Sequence, residues 1–164
     1  MIGTSYVVTM AAYNRWQNEN LYRAAAGLSD SERRRDRGAF FRSIHGTLNH
    51  ILWADEVWMG RLAGRAHPAT PIARSHERYL EWEALSAARD ALDVDIITWA
   101  GALEPAWLTQ SPAAASGGRT PKSSRSRGFL VVHMFNHQTH HRGQVHALLT
   151  AAGARTGDTD LLKL

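Results

Sequence analysis

The sequence predicts an all-α protein, a single bundle of four helices. Three observations carry that expectation. Apolar residues recur at spacings of three and four along most of the chain, and no stretch shows the sustained alternation of a strand-rich fold. Clusters of Gly, Pro and Ser, above all GRAHPATP and SPAAASGGRTPKSSRSRG, separate these periodic stretches. With 164 residues and 44% hydrophobic content, the chain can bury one core but not two ordinary ones, so residues 1–164 read as one domain without internal repeats.

The first helix is expected over about residues 5–28, where Tyr13, Trp16, Asn20 and Arg23 follow one another at three or four. Ser29 or Ser31, in the SDSE that follows, offers a cap. RRRDRG then leads into a second helix, about 38–62, reading GAFFRSIHGTLNHILWADEVWMGRL. At roughly 100° per residue, Phe40, Ile44, Leu48, Ile51, Trp58 and Leu62 fall on one stripe, with Phe41, Leu52 and Met59 beside it. Asp55 lies in the middle of that stripe. An unpaired carboxylate would be costly there, so a partner such as Arg142, Arg15 or an imidazole is expected.

The two prolines of GRAHPATP break the chain before a third helix, about 75–103, which carries Tyr79, Trp82, Leu85, Leu92, Ile96 and Trp99 and turns its Arg and Glu residues mostly outward. Residues 111–128 are rich in Ser, Gly, Pro and basic side chains and read as a long connection with room for short strands at its edges. The last helix spans about 129–152, is closed by Gly153 and leaves a tail ending TDLLKL. Amphipathic helices with one apolar face each pack most simply as a bundle, whose interior is where facing helices place metal ligands.

Composition narrows the function. There is no cysteine, so disulfides and thiolate metal sites are excluded and any metal must be held by nitrogen and oxygen. The first residues, MIGTSYVVTMAA, lack the layout of a secretory signal, and no window reaches the apolar length of a membrane span. A soluble, cytoplasmic protein with no membrane partner is the expectation. A net charge of +4 and pI ≈ 10.0, carried by RRRDR at 33–37 and by basic residues between Arg119 and Arg127, permit nucleic acid without demanding it. Neither basic stretch has interleaved aromatics, so no nucleic-acid partner is expected.

HMFNHQTHHRG, residues 133–143, holds four of the nine histidines. Projected at roughly 100° per residue, Leu130, Met134, Val145, Leu148 and Ala152 define an apolar sector of about 60°, with His137 and His141 in it or at its edge. His133 lies further out, and His140 and His146 point away. Imidazoles at i and i+4 can reach one ion, as in helical zinc sites, but the intervening Gln138, Thr139 and His140 supply no glutamate base for a metalloprotease. A third ligand must come from another helix, and spacing alone leaves His45 and His50 open.

The stretches YNRWQNENLY, RGAFFRSIHGTLNHILWADEVWMGRL and VVHMFNHQTHHRGQVHALLTAAG, followed by the DTDLLKL ending, resemble the DinB (DinB/YfiT-like) family of metalloproteins over nearly the whole chain. The resemblance implies an up-down-down-up four-helix bundle with a divalent metal, zinc or nickel, on three histidines: His50 of TLNHIL, in preference to His45, and His137 and His141 of the last helix. Around that metal, Tyr13, Trp16 and Asn20 of the first helix and Trp53 of the second are expected to form a substrate pocket, with His133, one turn before His137, lining it. Characterised relatives include thiol-dependent transferases and isomerases. The activity implied is therefore metal-dependent transfer of a low-molecular-weight thiol to a small electrophile, with a non-catalytic metal-binding stress protein or a metal-dependent hydrolase as alternatives. A homodimer is implied as well, since bundles of this family commonly pair and the chain holds six tryptophans.

Overall fold

The structure is a computed structural model that describes residues 2–111 and 125–164. It has six α-helices among those residues: α1 Thr4–Ala26, α2 Asp30–Arg34, α3 Ile44–Ala63, α4 Trp82–Gly101, α5 Pro105–Thr109 and α6 Arg127–Ala151. Two 3-10 turns, Ile72–Glu77 and Leu161–Lys163, complete it. No strand forms among the described residues. Most of the connection expected at 111–128 lies outside them, but its ends are joined by the Arg127 amide donating to the Gln110 carbonyl at 2.8 Å.

Two apolar clusters fix the direction of every long helix. One holds Val7 and Ala11 from the start of α1, Met59 and Leu62 from the end of α3, Ile96 and Ala100 from the end of α4, and Val131 and Phe135 from the start of α6. The other holds Leu21 and Ala25 from the end of α1, Ile44 and Leu48 from the start of α3, Leu85 of α4, and Val145 and Leu149 of α6. The helices therefore run up, down, down and up. Packing is closest between α1 and α4, α3 and α6, α1 and α6, and α3 and α4, so α1 and α3 face each other across the diagonal. No helix among the described residues is long and apolar enough to cross a membrane.

Between the clusters lies a polar waist to which all four long helices contribute. Arg89 Nη1 donates to Asp55 Oδ2 at 2.7 Å and Arg89 Nη2 to Asp93 Oδ1 at 2.8 Å. Asn14 and Asn18 also donate to Asp93, Gln138 donates to Asp55 at 2.9 Å, and Arg142 donates to the Asn14 amide oxygen. All seven residues are buried. Asp55 thus finds its partners in Arg89 and Gln138, not in the expected Arg142, Arg15 or an imidazole. Arg89 was expected to look outward with the other charges of its helix. It is instead the cation that two buried carboxylates require, since an uncompensated charge there would be far more costly than a pair.

Two boundaries depart from the sequence expectation. α3 begins at Ile44, not near residue 38, because Ser43 caps it by accepting from the Gly46 amide at 3.0 Å, while Gly38 and Arg42 take positive φ values of 72° and 68° in the tight turn before it. Phe40, placed on the core stripe by helical projection, is consequently 83% exposed, whereas Phe41 turns inward. The third long helix starts at Trp82 instead of 75. The chain before it is tied to α3: His45 Nε2 and Asn49 Nδ2 donate to the Tyr79 carbonyl, and the Tyr79 amide donates to Asn49 Oδ1 at 2.7 Å. Those bonds use backbone groups a helix would need.

Candidate metal centre

His50 projects from the first half of α3, while His137 and His141 project one turn apart from α6, which packs directly on α3. One ligand nitrogen from each ring lies within 4.8 Å of the others, so the three could hold a metal ion. His50 Nε2 and His137 Nε2 are 3.2 Å apart. Nitrogens coordinated at about 2.0–2.1 Å to one tetrahedral ion stand roughly 3.3 Å from each other, so this pair already has the required separation.

The second nitrogens fix two of the rings. Ser75 Oγ meets His50 Nδ1 at 2.9 Å, and His141 Nδ1 donates to Gln144 Oε1 at 2.7 Å, which leaves the His141 Nε2 lone pair free. His137 Nδ1 is buried without a partner among the described residues. Burial, then the neighbouring His141 and His137 rings, hold the His50 pKa down to about 3. Burial, then His141 and His133, hold that of His137 to about 4, and burial lowers that of His141 against the Gln144 hydrogen bond. All three rings are therefore neutral at pH 7, the state in which imidazole binds a metal. Three uncharged nitrogens with no carboxylate among them suit zinc or nickel, not calcium or magnesium.

Aromatic rings surround the triad. Phe41 stacks on His50 with centroids 3.8 Å apart and meets His141 edge-on at 5.5 Å. Trp53 also stacks on His50, at 5.9 Å, its indole N–H held by the Thr70 carbonyl. His133 reaches Trp58 at 5.0 Å and His137 at 6.4 Å.

A family model described as the DinB family matches residues 1–164. The chain belongs to the DinB family. It is 21% identical over 158 residues to Protein DinB of Bacillus subtilis (strain 168), covering 96% of this chain and 92% of that protein. A DinB-like protein from Bacillus cereus ATCC 10987, whose crystal structure is known, shares the fold with a TM-score of 0.64 at 16% identity, over 87% of this chain and 90% of the other.

Within this DinB bundle the residues singled out from sequence divide. His50, His137 and His141 come together, with Trp53 and His133 next to them. His45, the other candidate ligand, is engaged at the Tyr79 carbonyl instead. Tyr13, Trp16 and Asn20 are not brought to the triad. Tyr13 and Trp16 pack on each other, the Tyr13 hydroxyl donates to the Thr159 carbonyl, and Asn20 lies against Gly157 of the C-terminal tail. Their faces of α1 look towards that tail, a geometry that depends on where α6 ends and so leaves no trace in the first helix. Sequence reasoning missed Phe41, Ser75 and Gln144. Gln144 could have been found, since it stands at i+3 from His141 and faces it on the helix; Ser75 has no signal, because a 3-10 turn delivers it.

Proposed function

We propose that this DinB-family protein is a metal-dependent S-transferase, using His50, His137 and His141 to hold zinc or nickel and a low-molecular-weight thiol to attack a small electrophile. The observation that supports it is the ligand set itself: three neutral nitrogens from two helices, a number that in zinc sites goes with catalysis and an open position. An ion bound there would act as a Lewis acid, favouring the ionised form of a thiol or water at neutral pH. The chain's own residues orient and enclose. Ser75 and Gln144 fix two imidazoles, while Phe41, Trp53 and Trp58 give the electrophile an apolar, aromatic wall with His133 at its edge. With no cysteine in the sequence, the sulfur nucleophile has to be a co-substrate. The protein acts in the cytoplasm as a homodimer, without nucleic acid; a monomer mass in sedimentation at micromolar concentration rejects the dimer.

The first test is elemental analysis of protein purified without added metal, with one divalent ion per chain expected. His50→Ala, His137→Ala and His141→Ala should each lose it, whereas His140→Ala and His146→Ala keep it; full stoichiometry in any of the first three removes that residue from the ligand set. A panel of thiols and electrophiles then tests turnover, which should vanish on chelation and return with metal. Phe41 lying over His50 favours a second reading, a protein that binds metal without catalysis. Tight metal binding with no thiol-dependent rate across the panel decides for that reading, or for a hydrolase if a metal-dependent hydrolytic rate appears instead.

A further inference from the structure

On the side of α6 away from His137 and His141, a cavity of about 280 Å³ opens between α1, α6 and the C-terminal tail. At roughly 100° per residue, Thr139, Arg142, Gly143 and His146 of its wall project about 120° or more from the direction of His137 and His141, so it is separate from the metal centre. Tyr13, Gln17 and Leu21 form the facing wall. The tail closes the end: Gln17 Nε2 donates to the Asp158 carbonyl at 2.9 Å, Tyr13 to that of Thr159, and Thr156 Oγ1 meets His146 Nε2 at 2.6 Å.

Among the described residues Arg142 is the one guanidinium of this wall; it is buried, and that burial lowers its pKa to about 10, which leaves it charged at neutral pH. No carboxylate pairs with it among the described residues. Asp55 and Asp93 are hydrogen-bonded by Arg89 and act on Arg142 only at longer range, while the hydrogen bonds of Arg142 itself go to two neutral acceptors, the Asn14 amide oxygen and Thr139 Oγ1. A guanidinium has five N–H donors in a planar fork that matches a carboxylate, so three remain for whatever enters. The Tyr13 ring lies beside it, its centroid 5.5 Å from the guanidinium carbon. Gly143 also lines the cavity. It sits well inside α6, where glycine costs helix stability, yet a Cβ built there would meet nothing within 4 Å. Gly143 is exposed at the edge of the cavity, so a larger side chain can be placed there.

We propose that this cavity binds a small monocarboxylate, with Arg142 holding the carboxylate and Tyr13 and Leu21 contacting a short apolar tail. One fixed positive charge matches a singly charged group better than a phosphate dianion. The test is calorimetric titration of the metal-loaded full chain with acetate, propionate, butyrate and benzoate at constant ionic strength, beside inorganic phosphate. Saturable binding of at least one acid is expected. Gly143→Leu, which adds bulk to the cavity wall outside the polar waist, should weaken it at least tenfold while metal stoichiometry is unchanged. Arg142→Lys keeps the charge but loses the fork, and should weaken it at least fivefold. His50→Ala should leave it intact, which separates this site from a carboxylate ligating the metal. The proposal is overturned if no acid saturates, if phosphate binds as tightly as the best acid, if both the Gly143 and Arg142 variants bind normally, or if binding disappears with His50.

Discussion

At the scale of single residues, the triad is oriented by groups that bond its rings at the nitrogens turned away from the shared centre. Ser75 and Gln144 select which nitrogen of His50 and His141 faces the shared centre, and partners of this kind typically contribute about 10–100-fold in metal affinity. Ser75→Ala and Gln144→Ala are accordingly expected to weaken metal binding by about that factor in competition with a chelator, leaving stoichiometry at saturation unchanged. The lowered histidine pKa values also set a pH dependence in metal-free protein. Above the ordinary value of 6.5, rings are neutral in both folded and unfolded chains and contribute nothing. Below it the unfolded chain takes up protons that folded His50 and His137 refuse until about pH 3 and 4, so stability falls as pH drops through that window. His50→Phe removes one such ring. Its stability relative to the wild type, from urea midpoints, should therefore improve between pH 7.5 and 4.5; a constant difference would contradict the burial of a neutral imidazole.

Elements were legible in the sequence where one face meets one core, and illegible where tertiary bonds end them. The stripes of α3 and α6 announced both helices and placed His137 and His141 inward, but the i+4 spacing could not choose between His45 and His50, which only the packing of α3 on α6 decides. Arg89 read as a surface charge because nothing local signals a partner on another helix. Asn14 and Asn18, spaced four apart, face the waist, while the Tyr13, Trp16 and Asn20 chosen for their side chains point elsewhere. The start of α3 was misread because Phe40 extends its apolar period, though Ser43 ends the helix on that side. Removing that cap with Ser43→Ala should cost about 1 kcal/mol in urea denaturation. A loss that small would still loosen the turn that sets Phe41 on His50, and a change in metal affinity is the way to see it.

Across the whole molecule the polar waist divides the apolar interior and ties the four long helices at mid-height. Arg89→Met leaves Asp55 and Asp93 buried without their cation and is expected to cost about 3–5 kcal/mol, enough to unfold a marginal domain at 37 °C. Saturating metal should offset part of it, since a ligand bound only by the folded chain at a hundred times its dissociation constant adds about 2.7 kcal/mol. Thermal melts of the variant with and without metal measure both. The diagonal placement of α1 and α3 has a further consequence, for the order in which the chain can be assembled. The bonds that anchor α1 reach Asp93, 75 and 79 positions along, and Arg142, 128 positions along. During synthesis the first helix therefore leaves the ribosome long before either of its neighbours exists, and waits with Asn14 and Asn18 still hydrated. Such distant pairings slow folding relative to a bundle of consecutive hairpins, and α1 is the helix a ribosome-bound chaperone would meet first and hold longest.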